Sequence, residues 1–502
     1  MKELKLKELI AKMLMQGVQI SPDSINLILK NENPIELMNQ VIEKISTMRE
    51  KPLIITPEII IKLTGLEITN DELLPTIEDK IEIIFEPTNL ILNKPPSNDF
   101  LEYFISRYNK IRKILITERF DAKGVINIKE ISGNNRRSLA EKDTVKIICM
   151  INDKYVIDGT MVLNVEDLSG EISVIISSKN LDLIRKTQNL LINEVVCIEG
   201  KILSDGKILA IDILQPEVIK PPNNSEKERE QIFVVLTSDF HVGSRYFIRH
   251  AFNRFILWLN GMYGDKELKS LSKRVKYVII AGDIVDGVGI YPKQEEELAI
   301  KDLKKQYEIA AKYLSQIPSN IKIILIPGNH DAARQALPST SLFKEYAAAL
   351  YELKNALIIG DPAYLKIHDS LFLITHGKSL DDVLVNVANL KYNTPAKAMI
   401  ELLKRRHLAP IYGGRTQIAP EKEDYMVIEK IPHIFHAGHL HTFEYTYYKG
   451  ITIVNSGAWQ AQTEYMKKMG IIPDPAKVAL INLENNLVHT IINFGGEKLE
   501  EG

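Results

Sequence analysis

Over residues 4–86 the apolar positions recur at helical spacing. Leu4, Leu9, Ile10, Met13 and Leu14 approximate one buried helix face, the 3.6-residue period of an amphipathic helix. Ser21-Pro22-Asp23 is a cap-and-proline start signal before the apolar run 25–29, and Thr56-Pro57-Glu58 opens another such segment. These short helices predict an α-helical docking module over 1–90. The polar, proline-containing stretch Asn93-Lys94-Pro95-Pro96-Ser97-Asn98 predicts a linker. A lead-in helix over 99–117 completes the segment 91–140. Arg107, Lys110, Arg112 and Lys113 on that helix predict a solvated basic face, with contact to a phosphate backbone as the alternative.

From about Val145 the period shortens to that of strands. Runs at 145–150, 156–163, 171–176, 193–203 and 207–214 are strand candidates, and a helical stretch at 180–187 falls between the third and fourth. Five strands with a helix after the third predict a small closed barrel of the oligonucleotide-binding (OB) type over 141–222. Such barrels bind single strands in some proteins and form subunit interfaces in others, so the fold alone assigns no role. A second linker follows at Lys220-Pro221-Pro222-Asn223-Asn224-Ser225, then a charged run at 226–230. Over 231–495 strands alternate with helices, the pattern of an α/β domain. Strands at 232–237, 277–281, 321–326, 371–375 and 433–437 each end in a polar motif.

At 502 residues the chain exceeds one ordinary core, in keeping with several domains. A net charge of −2 gives no global basic signature, so contact with DNA would come from a local patch or a partner. Cys149 and Cys197 both lie in apolar strand-like runs and read as small buried hydrophobes. No apolar stretch reaches the length of a membrane span and the N-terminal residues form no signal-peptide core, which predicts a cytoplasmic protein.

The five strand-terminal motifs are Ser238-Asp239-Phe240-His241, Gly282-Asp283, Gly328-Asn329-His330-Asp331, Thr375-His376-Gly377 and Gly438-His439-Leu440-His441. Ligands of α/β sheets bind beyond the carboxyl ends of strands, where all five fall. Together they offer aspartate, histidine and asparagine in the number that two divalent ions need. Imidazole with carboxylate suits manganese first, with iron, zinc or nickel as alternatives, ahead of all-oxygen magnesium or calcium sites. Asp239 and His241 are spaced to hold one ion from the same side of a strand end. Asp283 has two oxygens with which to bridge both.

This pattern resembles the calcineurin-like metallophosphoesterase superfamily over about Gln231 to Phe494, whose domain is a β-sandwich flanked by helices. The resemblance implies that Asp239, His241, Asp283 and His441 hold one ion. It implies that Asp283, Asn329, His376 and His439 hold the other. His330 would be the general acid, and Asp331 either orients it or caps the following helix.

Within that superfamily, Ser/Thr phosphatases carry an Arg in the Gly-Asp motif and a Glu after Gly-Asn-His. Here Gly282-Asp283-Ile284-Val285-Asp286-Gly287 and Asp331 depart at both places. Three longer stretches resemble the small, exonuclease subunit of the archaeal D-family DNA polymerase. They are Gly328-Asn329-His330-Asp331-Ala332-Ala333-Arg334-Gln335-Ala336, His376-Gly377-Lys378-Ser379-Leu380-Asp381-Asp382, and the run from Lys404-Arg405-Arg406-His407 through Gly413-Gly414-Arg415 to Ala419-Pro420-Glu421. That resemblance implies a proofreading 3′→5′ exonuclease. Its partners would be a large polymerising subunit and a primer 3′ end, with a sliding clamp or primase as candidates for the N-terminal module. The alternatives are a catalytically idle architectural subunit, or a phosphatase or nucleotidase of the same superfamily.

Several further residues are candidates. Arg334, one helical turn past His330, would hold a substrate phosphate, and an ion pair is the competing reading. Arg405, Arg406, His407 and Arg415 predict either a DNA-binding loop, with Arg415 on substrate, or a subunit contact. His436 reads as a core or supporting residue, and Trp459 and Tyr465 as core aromatics with base stacking as the alternative.

Overall fold

The computed structural model describes residues 2–48, 51–66, 80–91, 100–132, 144–222 and 231–496. The first linker, 93–98, and the charged run 226–230 lie outside them. Among the described residues no helix is long and apolar enough to cross a membrane.

Two six-stranded sheets stack face to face at the centre of the C-terminal part. The first runs, in spatial order, Ala356–Ile358, Lys322–Ile326, Val275–Ala281, Phe233–Thr237, Lys477–Asn482 and Leu487–Asn493. The second runs Glu444–Tyr448, Ile451–Asn455, Ile434–Ala437, Ser370–Ile374, Ala363–Ile367 and Ile81–Phe85. Leu236, Ile279 and Ile324 of the first sheet meet Leu365, Phe372 and Val454 of the second in one dry core. The outer face of the first sheet is covered by the helices Arg249–Leu259 and Leu303–Leu314. That of the second is covered by Leu380–Asn386 and Pro395–Arg405. Strands buried on both faces read as continuous apolar runs, which is why Phe233–Thr237 shows no alternation.

The last strand of the second sheet, Ile81–Phe85, was expected among the N-terminal helices. It pairs antiparallel with Ala363–Ile367. Ile81-Glu82-Ile83-Ile84-Phe85 is short and β-branched, and a run of this length is ambiguous in period. The helices Lys2–Met15, Pro22–Lys30, Pro34–Ser46 and Pro57–Thr64 do form, around Met13, Met38, Val41 and Ile45. Ser21 caps the second of them by accepting the Ser24 amide. This module is tied to the sandwich through Gln316, whose Oε1 accepts the amides of Leu53 at 2.8 Å and Ile54 at 3.0 Å.

The five expected strands between the linkers close into a barrel, with the helix Leu181–Gln188 after the third. The first strand is longer than expected, Val145–Ile157, because the turn falls at Asp158-Gly159, both at positive φ (49° and 74°). That is the backbone of a two-residue hairpin turn, which Asp-Gly adopts readily. Cys149 and Cys197 are free and buried in the barrel wall.

The helix Phe100–Glu118 wedges between barrel and sandwich; Lys113 on its basic face is exposed as expected, but Arg107 is turned inward. Arg107 is fully buried, donating from Nε to Asp424 Oδ2 at 2.7 Å and from Nη1 to the Pro410 carbonyl at 2.6 Å. His407 meets the same Asp424 oxygen at 2.8 Å. Burial and the Arg107 charge hold His407 down at about 4. Arg405 pairs with Glu194 of the barrel at 2.6 Å and Arg406 with Glu118 at 2.6 Å. These cations therefore lock the domains of this one chain together and face neither solvent nor DNA.

Candidate metal centre

The strands Phe233–Thr237, Val275–Ala281 and Lys322–Ile326 are mutually parallel, as are Ser370–Ile374 and Ile434–Ala437. Their carboxyl ends meet at one edge of the sandwich, and all five polar motifs converge there. Asp239, His241, Asp283, His439 and His441 each turn in at positive φ, between 51° and 72°. A non-glycine residue in that region costs about 1–2 kcal/mol, so packing elsewhere must hold these five conformations. The glycines of the motifs make the room. A Cβ on Gly438 would lie 2.5 Å from Asp239 Oδ2, and one on Gly282 would lie 2.6 Å from His376 Nδ1.

Three groups of donor atoms result: Asp239 with His241 and His441, His241 with Asp283 and His330, and Asp239 with Asp283 and His376. Asp283 belongs to two of them. Its Oδ2 lies 3.3 Å from His376 Nε2, 3.7 Å from His241 Nε2 and 4.0 Å from His330 Nε2. Its Oδ1 accepts the His330 amide at 2.8 Å.

Supporting bonds fix which nitrogen points inward. His376 Nδ1 is 2.8 Å from the Ala281 carbonyl, which only accepts, so Nδ1 carries a proton and Nε2 is the nitrogen that faces the cluster, 2.9 Å from Asn329 Oδ1. His241 Nδ1 donates to Asp286 Oδ1 at 3.0 Å, leaving Nε2 to face His441 Nε2 at 3.0 Å. His441 Nδ1 is buried without a hydrogen-bond partner among the described residues. Lone pairs and carboxylate oxygens gathered in a buried site repel one another unless positive charge lies among them. The donor set therefore fits divalent cations of the borderline type.

The titration behaviour says the same. Burial opposes ionisation of Asp283, yet the His376 and His330 imidazoles hold it well below the usual carboxylate range. Burial would lower His376, but Asp283 and Asp239 outweigh it and raise the imidazole to about 10. A proton fills the place of a cation. Burial lowers His241, with Asp286 partly offsetting it.

His439 stands outside the three groups, its Nε2 3.2 Å from Asp381 Oδ2. His330 directs Nδ1 to the Asp286 carbonyl at 2.7 Å, so that carbonyl fixes its ring. Asp331, expected to orient His330 or cap a helix, instead knots the loops beneath. It accepts the amides of Gly328 (2.9 Å) and Ile284 (3.1 Å) and the Tyr307 hydroxyl (3.0 Å). Burial, then Asp283, raises its carboxyl to about 6. Arg334 pairs with buried Glu421 at 2.5 Å, whereas Arg415 is exposed and lines the open cavity above the cluster.

Sequence reasoning passed over the supporting residues. Asp286 was visible in the Gly282–Gly287 motif but not as the partner of His241. A buried chain runs from His436 Nε2 to Ser456 Oγ (2.9 Å) and on to Ser238 Oγ (2.7 Å), which donates to Asp239. His436 is thus a supporting residue, as its position two before the last motif suggested. Trp459 is fully buried, donating to Thr237, while Tyr465 is half exposed at the cavity.

Residues 234–445 match the model of a family described as the B subunit of DNA polymerases alpha and epsilon. The DNA polymerase II small subunit of Methanothermobacter thermautotrophicus is 36% identical over 488 residues, 95% of this chain and 98% of that one. That of Pyrococcus furiosus is 38% identical over 84% of this chain and 69% of its own length. The corresponding protein of Archaeoglobus fulgidus is 41% identical over 80% of this chain and 78% of its own.

Proposed function

The chain belongs to the family of archaeal DNA polymerase II small subunits, and we propose that within such a polymerase it is a two-metal 3′→5′ exonuclease of the metallophosphoesterase type. Its partner is the large catalytic subunit, and its substrate is the 3′ end of a primer. The observation that carries this reading is the Asp283 carboxylate, shared by two donor groups, one with Asp239 and His376 and one with His241 and the partly buried His330.

Asp239, His241, Asp283 and His441 would hold one ion; Asp283, Asn329, His376 and, through the nitrogen not facing Asp381, His439 would hold the other. When bound, such ions acidify water and stabilise negative charge on phosphate oxygens. The chain's own residues do the rest. Asp286 and the Ala281 carbonyl hold His241 and His376 with Nε2 inward. His330, with Nδ1 on the Asp286 carbonyl, carries its exchangeable proton on Nε2 at the cavity floor. There it would protonate the departing 3′ oxygen as a water oxygen bonds to phosphorus and the P–O3′ bond breaks, so the released nucleotide keeps its 5′ phosphate and the primer regains a 3′ hydroxyl. Arg415, which lines the cavity, would meet the backbone phosphate. A cavity of about 400 Å³ above the cluster admits a nucleotide.

The reading is tested by incubating the full chain, with its large subunit, with single-stranded and mismatched DNA ends in Mn²⁺. Nucleotide release that disappears in Asp283→Ala supports it. Release from phosphomonoesters with DNA untouched supports a phosphatase instead, and release unchanged by the substitution assigns the activity elsewhere.

A further inference from the structure

The cavity lining is of two kinds. Asp381, Tyr392 and Arg415 are polar or charged. Ile290, Tyr291, Tyr465, Met466, Met469 and Ile471 form an apolar and aromatic wall that has no part in the hydrolysis. Tyr465 is 50% and Met469 47% exposed. Single exposed apolar residues are ordinary, but a contiguous set inside a concave site marks a place where something binds.

The arrangement is graded toward the reacting centre. The Tyr291 ring lies 6.3 Å from His330, and the Tyr465 ring lies 5.6 Å from Tyr291 at an interplanar angle of 32°. Successive ring contacts therefore link the proposed proton donor to the half-exposed Tyr465. Tyr291 is held in place by its hydroxyl, which donates to Glu297 Oε2 at 2.8 Å. Met466 and Met469 add sulfur and methyl surface, which conforms to flat rings of different shape.

We propose that this wall is a stacking platform for the nucleobase of the 3′-terminal nucleotide, so that the site takes only ends whose last base is unpaired. The proposal deepens the nuclease reading and rests on it for the identity of the ligand. Every base has a π-face, so an aromatic and methionine wall accepts all four without hydrogen-bond readout. A paired base reaches the wall only by unpairing and unstacking, which costs about a few kcal/mol, and a mismatched one is the least costly to unstack. Selection for mismatched primers then follows from access, with no contact that reads the mismatch. A protein segment from a partner would also suit apolar surface. It would not need that surface to share a cavity with the metal donors and His330.

The test uses a single-stranded oligonucleotide with 2-aminopurine as its 3′-terminal base. A methylene phosphonate joins that last nucleotide, carbon replacing the scissile oxygen so that nothing is cleaved. Titrated with the full chain in Mn²⁺, its fluorescence should be quenched by stacking. Tyr465→Ala and Met469→Ala should relieve the quench and weaken binding about 5- to 100-fold, while Tyr465→Phe should keep both. In a second arm, cleavable ends bearing a base should be hydrolysed faster than abasic ends by a similar factor, and Tyr465→Ala should remove the preference. Quench and affinity unchanged in Tyr465→Ala overturn the proposal. Quench without hydrolysis of any end leaves the platform standing and refutes the nuclease reading. Hydrolysis with neither quench nor base preference does the reverse.

Discussion

His330 places its Nδ1 2.7 Å from the backbone carbonyl of Asp286. A carbonyl cannot donate, so the proton on that nitrogen is fixed and the exchangeable one sits on Nε2, facing the cavity. The fixed Nδ1 proton leaves Nε2 as the nitrogen through which His330 would deliver a proton. His330→Gln should slow hydrolysis of a DNA end about 10²–10⁴-fold, the usual contribution of a general acid. Thymidine 5′-(p-nitrophenyl phosphate) has a leaving group that needs no proton, and its hydrolysis should fall much less. Equal losses on both substrates, measured as kcat, would remove His330 from that role.

The Asp286 side chain serves a different residue, His241, at 3.0 Å, and is itself held by Gln460 Nε2 at 3.0 Å. Groups that orient a metal-binding histidine typically contribute about 10–100-fold in metal affinity. Asp286→Ala should therefore raise the Mn²⁺ concentration for half-maximal activity by about that factor, with the far-ultraviolet circular dichroism unchanged. An unaltered Mn²⁺ dependence would show that the contact orients nothing.

His376 gives a pH signature. In the metal-free chain its folded value is about 10, against 6.5 as the ordinary value. A raised folded pKa contributes stability that is fully present below pH 6.5 and is lost as pH rises through about 10. Metal-free protein should thus lose this contribution over that window. Metal ligation requires the neutral imidazole, so Mn²⁺ binding near pH 7.5 should release a proton. Calorimetry in buffers of different ionisation enthalpy measures that release directly. Binding with no proton released would place His376 off the metal.

The seam between barrel and sandwich rests on charges that have no solvent to fall back on. Arg405 and Glu194 are both buried, and removing one partner of such a pair costs about 3–5 kcal/mol. Lys305 and Glu308 form an exposed pair, for which about 0–1 kcal/mol is expected. Urea unfolding of the full chain should show a large drop in midpoint for Arg405→Ala and almost none for Lys305→Ala. Comparable small shifts would mean that the Arg405 pair is not what joins the domains.

Much of this was legible in the residues because local signals and function coincide. Strand runs ending in Asp239, Asp283, Asn329, His376 and His439 could be read directly, since a chain buried on both faces must be apolar until it reaches the site. The helix over 99–117 and the five barrel strands were readable for the same reason of period. The contacts that decide a charged residue's job were not. Arg107 reads in sequence as part of a solvated face, and Arg405 and Arg406 as a DNA-binding loop or a subunit contact; only the meeting of segments hundreds of residues apart reveals Asp424, Glu194 and Glu118 as their partners. Asp331 reads in sequence as orienting His330 or capping the following helix, but the loop turns its carboxylate to Gly328, Ile284 and Tyr307. Ile81–Phe85 was lost among helices because its pairing strand lies far along the chain.

The most direct test of the central claim is end-resolved digestion by the full chain with its large subunit in Mn²⁺. A primer carrying a 5′ label and a mismatched 3′ terminus should shorten one nucleotide at a time from the 3′ end. It should release 5′-mononucleotides and leave extendable 3′ hydroxyls, with no shortening in Asp283→Ala. Persistence of the full-length primer at the level of Asp283→Ala, or loss of the 5′ label while the 3′ terminus survives, would contradict the account.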